Sequence, residues 1–407
     1  MRVVVINTGT EILLGEVLNT HLTFIAREIF PLGLRVDRQM SVPDGIAIRD
    51  VLLENFPRAD VIFVTGGLGP TTDDLTREIT AELLEKELVL DSELAEVITR
   101  RLQRRGIRLT DRILRQAQVP QGALVLPNDN GTAPGLYLAA KGEGPHLFLL
   151  PGPPRELQPM FAQSVVPILQ RIVRQEEPLL CHTYRIVGMG ESYVEEAIGA
   201  DLLALSGIEV GYCARMGEVD LRVLGSAIVL EQADAIVQAK LATSIFSTSG
   251  EKLEEVIVRE LAQKRATLAV AESCTGGFLA HRITNVPGAS AVFLAGYVTY
   301  ANEAKTAALG IDPTTIAREG AVSETVARGM AEGAQTKSGA TFALATTGIA
   351  GPGGGSEAKP VGTAYVALAG GGETIVRHLF FPSDRETFKQ LATQMALNLL
   401  RERLAAV

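Results

Sequence analysis

Ala271-Glu272-Ser273-Cys274-Thr275-Gly276-Gly277 sets a hydroxyl between an apolar run, Thr267 to Val270, and a helical pattern, Phe278 to Thr284. A serine on a strand-to-helix turn projects from the sheet edge with free backbone N–H groups close by for an oxyanion, which is the geometry of a nucleophile. A serine hydroxyl is weak until a base takes its proton. His281 is expected two turns into the following helix and His378 in a strand-like run, which argues against a Ser-His-Asp triad. Lys305, in the stretch Tyr297 to Lys305, offers another base: desolvated beside Tyr300, its pKa would fall far enough for it to act near neutrality. On spacing alone a helix-capping serine and a solvated lysine remain the alternative. A third cluster, Ala345-Thr346-Thr347-Gly348 through Gly355, follows the apolar run Phe342 to Ala345. Its glycines suit a backbone-amide cradle in which Thr346 or Thr347 positions a carbonyl or phosphate, or else simply a flexible loop.

A second constellation lies near the N-terminus. Thr65-Gly66-Gly67-Leu68-Gly69-Pro70-Thr71-Thr72-Asp73-Asp74-Leu75-Thr76 follows the apolar run Val61 to Val64 and opens a helix, at the carboxyl end of a parallel strand, where α/β folds place ligands. Glycines let backbone N–H groups approach an anion, and a helix start adds partial positive charge, so phosphate is the natural guest. Asp73 and Asp74 would repel that phosphate unless a divalent cation sat between them, and hard oxygen ligands suit Mg²⁺. Helix capping by Thr72 and Asp73 alone is the alternative. Gly9-Thr10-Glu11 offers a further carboxylate to the same site. The turn clusters Asn128 to Gly135 and Pro151 to Leu157 also lie near expected strand ends.

These residues need a scaffold. Val3 to Ile6, a helical pattern over Leu18 to Phe30, Val61 to Val64 and a helix from Leu75 onward have the rhythm of βαβ units on a mostly parallel sheet. The rhythm reaches Leu147-Phe148-Leu149-Leu150, and a helix from Arg155 to Arg174 closes a first domain, 1–175. Residues 176–250 hold two strand-like runs, Thr183 to Val187 and Asp220 to Val223, with helical runs after Gly190 and Gln232, a small α+β module to which no chemistry attaches. A surface helix over Glu251 to Lys264 opens a third αβ domain, 251–407. Arg100, Arg101, Arg104, Arg105, Arg108, Arg112 and Arg115 interleave with Leu102, Ile107, Leu109, Ile113 and Leu114 around a break at Gly106. That pattern predicts a solvated helical face, with a phosphate-facing patch as the alternative.

Composition narrows the partners. A net charge of -9 gives nucleic-acid phosphates no overall attraction, whereas a nucleotide needs only a local basic pocket. Cys181, Cys213 and Cys274 are far apart, without CxxC spacing, so neither a disulfide framework nor a zinc site is suggested and a reducing cytosol fits. No apolar run approaches the roughly 18 residues that span a bilayer.

Gly9-Thr10-Glu11 with Leu14-Gly15, the Thr65 to Thr76 stretch, Gly131-Thr132-Ala133-Pro134-Gly135, Leu150-Pro151-Gly152-Pro153-Pro154 and the three C-terminal clusters together resemble the CinA family of competence/damage-inducible proteins over the whole chain. The resemblance implies an α/β fold: an N-terminal three-layer domain like the molybdenum-cofactor-binding (MoCF) fold, a small α+β KH-like middle domain, and a C-terminal αβ domain that occurs alone as nicotinamide-nucleotide amidohydrolase. By it, Ser273 would be the nucleophile, Lys305 the general base and Tyr300 a proton-relaying or orienting hydroxyl, with Thr346, Thr347, Gly348 and Arg385 binding substrate. The reaction implied is hydrolysis of nicotinamide mononucleotide (NMN) to nicotinate mononucleotide and ammonia, with no metal or other cofactor. For the first domain it implies a metal-dependent ADP-ribose pyrophosphatase releasing AMP and ribose 5-phosphate. Gly66, Gly67, Gly69 and Thr71 would meet substrate there, and Asp73, Asp74 and Glu11 a divalent cation, Mg²⁺ or similar. A cytoplasmic homodimer whose partners are small nucleotides, without direct nucleic-acid or membrane binding, completes the expectation. A pterin- or nucleotide-binding module acting through a protein partner in competence or DNA-damage responses is the alternative. Four positions depart from the family pattern: His21 stands for an asparagine, Ala301 for a small hydroxyl residue, Ser383 for a glycine and Lys389 for an arginine. Gly188-Met189-Gly190-Glu191 is not the GxxG loop that grips RNA.

Overall fold

Val3, Val4, Val5 and Ile6 are all buried, so the first strand has no polar face and must be covered on both sides. The computed structural model describes residues 1–104, 106, 108–142, 144–173 and 179–406. Their packing separates the chain into two units, Met1–Pro178 and Leu179–Val407. The expected boundary at 175, like Arg105, Ile107 and Arg174, lies outside the described residues.

In the first unit, β1 (Val3–Thr8), β2 (Val36–Val42) and β3 (Val61–Thr65) precede a short antiparallel pair, β4 (Leu88–Leu90) with β5 (Gln118–Pro120). Strands β6 (Leu124–Leu126), β7 (Gly135–Leu138) and β8 (His146–Leu150) follow. The six-stranded sheet runs β2-β1-β3-β8-β7-β6, with the first four parallel and β7 and β6 antiparallel at one edge. Side chains alternate along a strand, so Val3, Val5, Val61, Phe63 and Phe148 share one core with Ile25 and Ile29 of α1 (His21–Ile29). Val4, Ile6, Ile62, Val64 and Leu149 share the other with Ile48 and Leu52 of α2 (Ala47–Asn55) and Ile79 of α3 (Thr76–Leu83). Helices on both faces make three layers.

The arginine run is partly structural. Helix α4 (Ser92–Arg104) buries Ile98 and Leu102, and its Arg101 donates to the carbonyl of Asn128 at 2.5 Å and to that of Gly131. Arg115 pairs with Glu78 at 2.9 Å. The helix expected from Arg155 starts as α5 (Pro154–Met160), widens into a π-type turn at Phe161–Val165 and resumes over Val166–Ile172, where Pro167 has no N–H to give.

The second unit begins with β9 (Leu180–Val187), β10 (Glu209–Arg215), β11 (Glu218–Gly225) and β12 (Ile245–Ser247), an antiparallel sheet ordered β10-β11-β9-β12. Helices α6 (Glu191–Leu203) and α7 (Ala227–Leu241) share its core. The Ser226 hydroxyl caps α7, accepting from Val229 N–H, so this helix starts before Gln232. Strands β10 and β12 escape a hydrophobicity search because β10 buries none of its residues fully and β12 is three residues long.

Next come α8 (Leu253–Gln263), β13 (Leu268–Glu272), α9 (Phe278–Thr284), β14 (Phe293–Val298), α10 (Asn302–Leu309), α11 (Glu324–Ser338), β15 (Phe342–Gly348), β16 (Thr363–Ala369), β17 (Ile375–Phe380) and α12 (Arg385–Ala406). Their sheet is ordered β14-β13-β15-β16-β17, with β14, β13 and β15 parallel and β16 and β17 antiparallel. Its two faces differ in size. Leu268, Val270, Leu344 and Val366 pack with α8, α9 and α12, whereas Ala269, Ala271, Ala343, Ala345, Ala367 and Ala369 leave room for α11 to lie close. Val187 and Phe246 join the first of these cores, so the KH-like sheet and the C-terminal layers form one packed unit. Among the described residues no helix is long and apolar enough to cross a membrane.

The loop after β3 shows how tightly backbone and side chains are fitted. Gly67 has φ +67°, and a Cβ there would run into the Thr76 hydroxyl, which donates to the Gly66 carbonyl at 2.9 Å. Gly15, also at positive φ, has nothing within 4 Å of such a Cβ. Gly67→Ala is therefore expected to cost about 2–4 kcal/mol in urea unfolding, left-handed strain plus overlap, and Gly15→Ala only about 1.

Candidate active sites

Strand β13 ends on Glu272, and the chain turns through Ser273–Gly277 into α9. Gly276 and Gly277 take positive φ, +60° and +94°, which lets the turn close within five residues. Ser273 N–H donates to the Thr346 carbonyl at 2.9 Å, so the serine is pinned where β13 and β15 run side by side. Glu272, fully buried, fills the space beneath. Its Oε2 accepts the N–H groups of Gly277 and Leu279, both at 3.0 Å, and the Thr275 hydroxyl at 2.6 Å, while Oε1 accepts Ala280 N–H at 2.8 Å. These are the amides that a helix start leaves without partners. The sequence suggested that amides near the helix start would face an oxyanion; the structure gives these three to Glu272.

Lys305 is the other centre. It is 1% exposed, and its Nζ lies 3.1 Å from Ser273 Oγ while donating to the carbonyls of Thr299 at 2.8 Å and Tyr300 at 3.3 Å. Those carbonyls belong to the loop leaving β14, and Thr299 N–H donates to the Glu272 carbonyl at 2.8 Å, which ties that loop to the serine-bearing strand. Burial lowers the Lys305 pKa from the ordinary lysine value. Burial pushes the neighbouring Cys274 thiol up to about 12, so the thiol stays protonated and is no rival nucleophile.

The remaining expected residues divide into an outer rim and an inner wall. Tyr300 is 59% exposed, and its hydroxyl accepts from Arg385 at 2.7 Å; Arg385 also donates to the Gly351 carbonyl at 2.9 Å. Tyr300 thus meets Lys305 through its carbonyl and Arg385 through its hydroxyl. Thr346 and Thr347 are fully buried: the first pairs with the Thr275 hydroxyl at 2.7 Å and the second donates to the Ala321 carbonyl at 2.8 Å. Gly348 leaves space that a Cβ would take from Phe388 and the Thr363 carbonyl. Lys389 stands over the Phe278 ring at 5.8 Å, and Ala301 occupies the N-cap of α10 without a side chain to cap it. His281, in the last turn of the short helix α9, pairs with Asn285, and His378 stacks on Tyr365.

In the first unit, the Gly66 and Gly67 turn lies at the carboxyl end of β3, its position fixed by Gly66 N–H donating to the Leu150 carbonyl at 2.9 Å. A Cβ on Gly66 would strike Thr8, so only glycine fits between the β1 and β8 ends. Asp74 accepts from Thr71 N–H at 2.9 Å and from the Thr71 hydroxyl, and it lies where a Cβ on Gly69 would fall. Asp73 is exposed, and Glu11 curls back over Gly9. Among the described residues no group of three or more His, Cys, Asp or Glu side chains is arranged to hold a metal ion. The two adjacent aspartates nevertheless fit a Mg²⁺ habit, in which one or two carboxylates are completed by substrate phosphates.

Two features of these sites were not read from the sequence. One is Glu272, whose only signal is an acid ending an apolar strand just before the serine turn. The other is a polar array beside the glycine turn: Asn7 Nδ2 donates to the Thr65 hydroxyl at 2.8 Å, and Asn7 Oδ1 accepts from Asn19 at 2.8 Å and Gln39 at 3.0 Å. His21 Nδ1 lies 3.2 Å from the same Thr65 hydroxyl, and burial lowers its pKa.

Comparison with known proteins adds three family matches along the chain. Residues 4–171 match a "Probable molybdopterin binding domain", residues 182–246 a "Damage-inducible protein CinA KH domain", and residues 250–404 a "CinA C-terminal domain". A "CinA-like protein" of Akkermansia muciniphila is 47% identical over 98% of this chain and 96% of its own. Two solved structures are also similar. The competence/damage inducible protein CihA from Agrobacterium tumefaciens is 37% identical over 38% of this chain and 96% of its own, with a TM-score of 0.36. A competence-damaged protein (CinA) superfamily protein from Escherichia coli is 35% identical over 37% of this chain and 87% of its own, also at 0.36.

The Glu272 geometry makes a prediction. A glutamine there keeps one acceptor oxygen for four donors, leaving buried amides unpaired at about 1–3 kcal/mol each. Glu272→Gln should lower the unfolding free energy of the second unit by about 2–4 kcal/mol in urea titration.

Proposed function

The chain belongs to the CinA family, and from that premise and the contact between Lys305 and Ser273 we propose that its second unit hydrolyses the carboxamide of nicotinamide mononucleotide. The carrying observation is the partner set of Lys305 Nζ. A neutral amine has two N–H groups and one lone pair. The carbonyls of Thr299 and Tyr300 take the two N–H groups, which turns the lone pair toward Ser273 Oγ. Ser273 Oγ bonds to the amide carbon, giving a tetrahedral oxyanion, as its proton passes to Lys305 Nζ. Collapse breaks the C–N bond, Lys305 returns the proton to the leaving ammonia, and water then releases the carboxylate and restores the serine. Arg385 and the Tyr300 hydroxyl, together on the rim, are suited to the phosphate end of the mononucleotide.

For the first unit we propose metal-dependent cleavage of ADP-ribose to AMP and ribose 5-phosphate. Asp73 and Asp74 would hold a divalent ion together with diphosphate oxygens, and the ion would supply charge neutralisation there. Gly66, Gly67 and Gly69 admit the diphosphate to backbone amides, and Thr71 fixes the orientation of Asp74. The exposed carboxylates also favour a second reading, nucleotide or pterin binding without turnover.

Two experiments follow. Ammonia release from nicotinamide mononucleotide should fall at least about 10³-fold in Ser273→Ala and about 10²–10⁴-fold in Lys305→Arg, whose guanidinium stays charged. In the parent protein kcat/KM should rise with pH as Lys305 loses its proton, with a midpoint below the ordinary lysine range because burial favours the neutral amine. Undiminished activity in Ser273→Ala would end this reading. For the first unit, AMP release from ADP-ribose should require a divalent cation and drop at least about 100-fold in Asp74→Ala. Tight binding of ADP-ribose with no AMP formed, at any metal concentration, would decide for the binding module.

A further inference from the structure

The KH-like sheet carries none of the residues proposed to react, yet one of its acids is built into the layers that carry them. Glu218 begins β11 at the tip of the β10–β11 hairpin and is 9% exposed. Its Oε1 accepts from Gln394 Nε2 of α12 at 2.7 Å, and its Oε2 accepts from Arg185 Nη2 of β9 at 2.8 Å. Gln394 passes the contact on: its Oε1 accepts from Arg282 Nη2 of α9 at 2.6 Å. Arg282 in turn donates to the Thr393 hydroxyl at 3.0 Å and to Glu254 of α8 at 2.7 Å. Gly217, just before Glu218, has φ +74°, and a Cβ there would lie 3.0 Å from Gln394 Cγ. The hairpin tip therefore touches α12 by backbone, and only glycine allows it.

The two helices joined at this point are the ones that carry the site. Helix α9 begins directly after the Ser273 turn, and α12 begins with Arg385, the rim residue bound to Tyr300. Glu272 secures the first turn of α9, and Arg282, four residues after Phe278, secures its far half. A cavity of about 360 Å³ lies beside the chain of contacts, lined by Glu218, Arg282 and Gln394 together with Lys252, Phe278 and His281. It runs along one side of α9, whose Leu279 and Ile283 are buried in the apolar core, so on the cavity side the polar links are what join α9 to α12.

Resting on the amide-hydrolysis reading of the second unit, we infer that Glu218 is a positioning residue for that reaction: through Gln394 and Arg282 it sets where α9, and with it the Ser273 turn, lies against α12. A misplacement of about 1 Å at a reacting group is enough to cost about 10²-fold, so a small release of α9 is sufficient to register.

The test uses the full chain and two substitutions. Glu218→Ala removes both contacts; Glu218→Gln keeps an oxygen for Gln394 Nε2 but abolishes the ion pair with Arg185. Glu218→Ala should lower kcat on nicotinamide mononucleotide about tenfold and speed hydrogen exchange across 274–284 about tenfold, with α6 and α7 still protected as proof of a folded module. Glu218→Gln should recover both readouts to within about threefold, which a role limited to the Arg185 ion pair would not allow. Parent-like exchange at 274–284 in Glu218→Ala overturns the inference, as does a Glu218→Gln protein as loosened as Glu218→Ala. Should the parent protein release no ammonia, the amide-hydrolysis reading fails by itself, and the exchange at 274–284 still decides whether Glu218 holds α9.

Discussion

The arrangement around Ser273 depends on a lysine kept out of water. An amine with three partners can meet them in two ways. As an ammonium it donates to all three, including the Ser273 hydroxyl; as a neutral amine it donates to the two carbonyls and receives the serine proton. Burial lowers the lysine pKa and so works toward the second, because moving a charge into a site with two carbonyls and no hydrogen-bonded carboxylate is costly. The fold meets this demand by making the loop from Thr299 to Ala301 do two tasks. It supplies the carbonyls that hold Nζ, and it starts the helix on which Lys305 returns one turn later. The Thr299 hydroxyl is buried and has no hydrogen-bond partner among the described residues.

A buried acid stands on the other side of the serine, and the two ionisable groups are kept from neutralising each other. Glu272 spends its oxygens on three amides and a threonine hydroxyl, so its charge is balanced by the start of α9 and not by Lys305. Thr275 extends that network to Thr346 on the neighbouring strand. Thr346, one of the two threonines that spacing offered as substrate contacts, thereby shares a network with Glu272, while Thr347 donates to the Ala321 carbonyl. The alanine face of the sheet has the same logic at larger scale: small side chains under α11 let the helix close off one side of the sheet that carries Glu272 and Thr346.

What could be read from the sequence followed from local patterns. The alternation of β-branched runs and amphipathic stretches gave the mostly parallel sheet of the first unit and an αβ region after Glu251, because a strand buried on two faces is apolar throughout, as Val3 to Ile6 and Leu268 to Ala271 are. Ser273 and Lys305 were legible through residue type and turn context. What was hidden depends on contacts distant in sequence. Nothing near Tyr300 announces that its hydroxyl meets Arg385, 85 residues away, and nothing near Glu218 announces Gln394, 176 residues away. Strand β10 was missed because its half-exposed residues carry no alternating apolar signal. The sequence offered Glu11 to the same site as Asp73 and Asp74; in the structure its carboxylate lies over Gly9.

The two candidate sites therefore represent opposite degrees of preparation. Around Ser273 the groups proposed to react already touch, the pKa of the lysine is lowered by burial, and the amides of Gly277, Leu279 and Ala280 are satisfied by Glu272. Around Gly66 the glycines are locked by Thr8, Thr76 and the Leu150 carbonyl and Asp74 is held by Thr71, but Asp73 lies in solvent. Adjacent carboxylates repel, so a cation and a phosphate bound as proposed would make their approach favourable. The close fit at Gly67 shapes the turn in advance, whereas the partner of Asp73 would have to come from the proposed ligand.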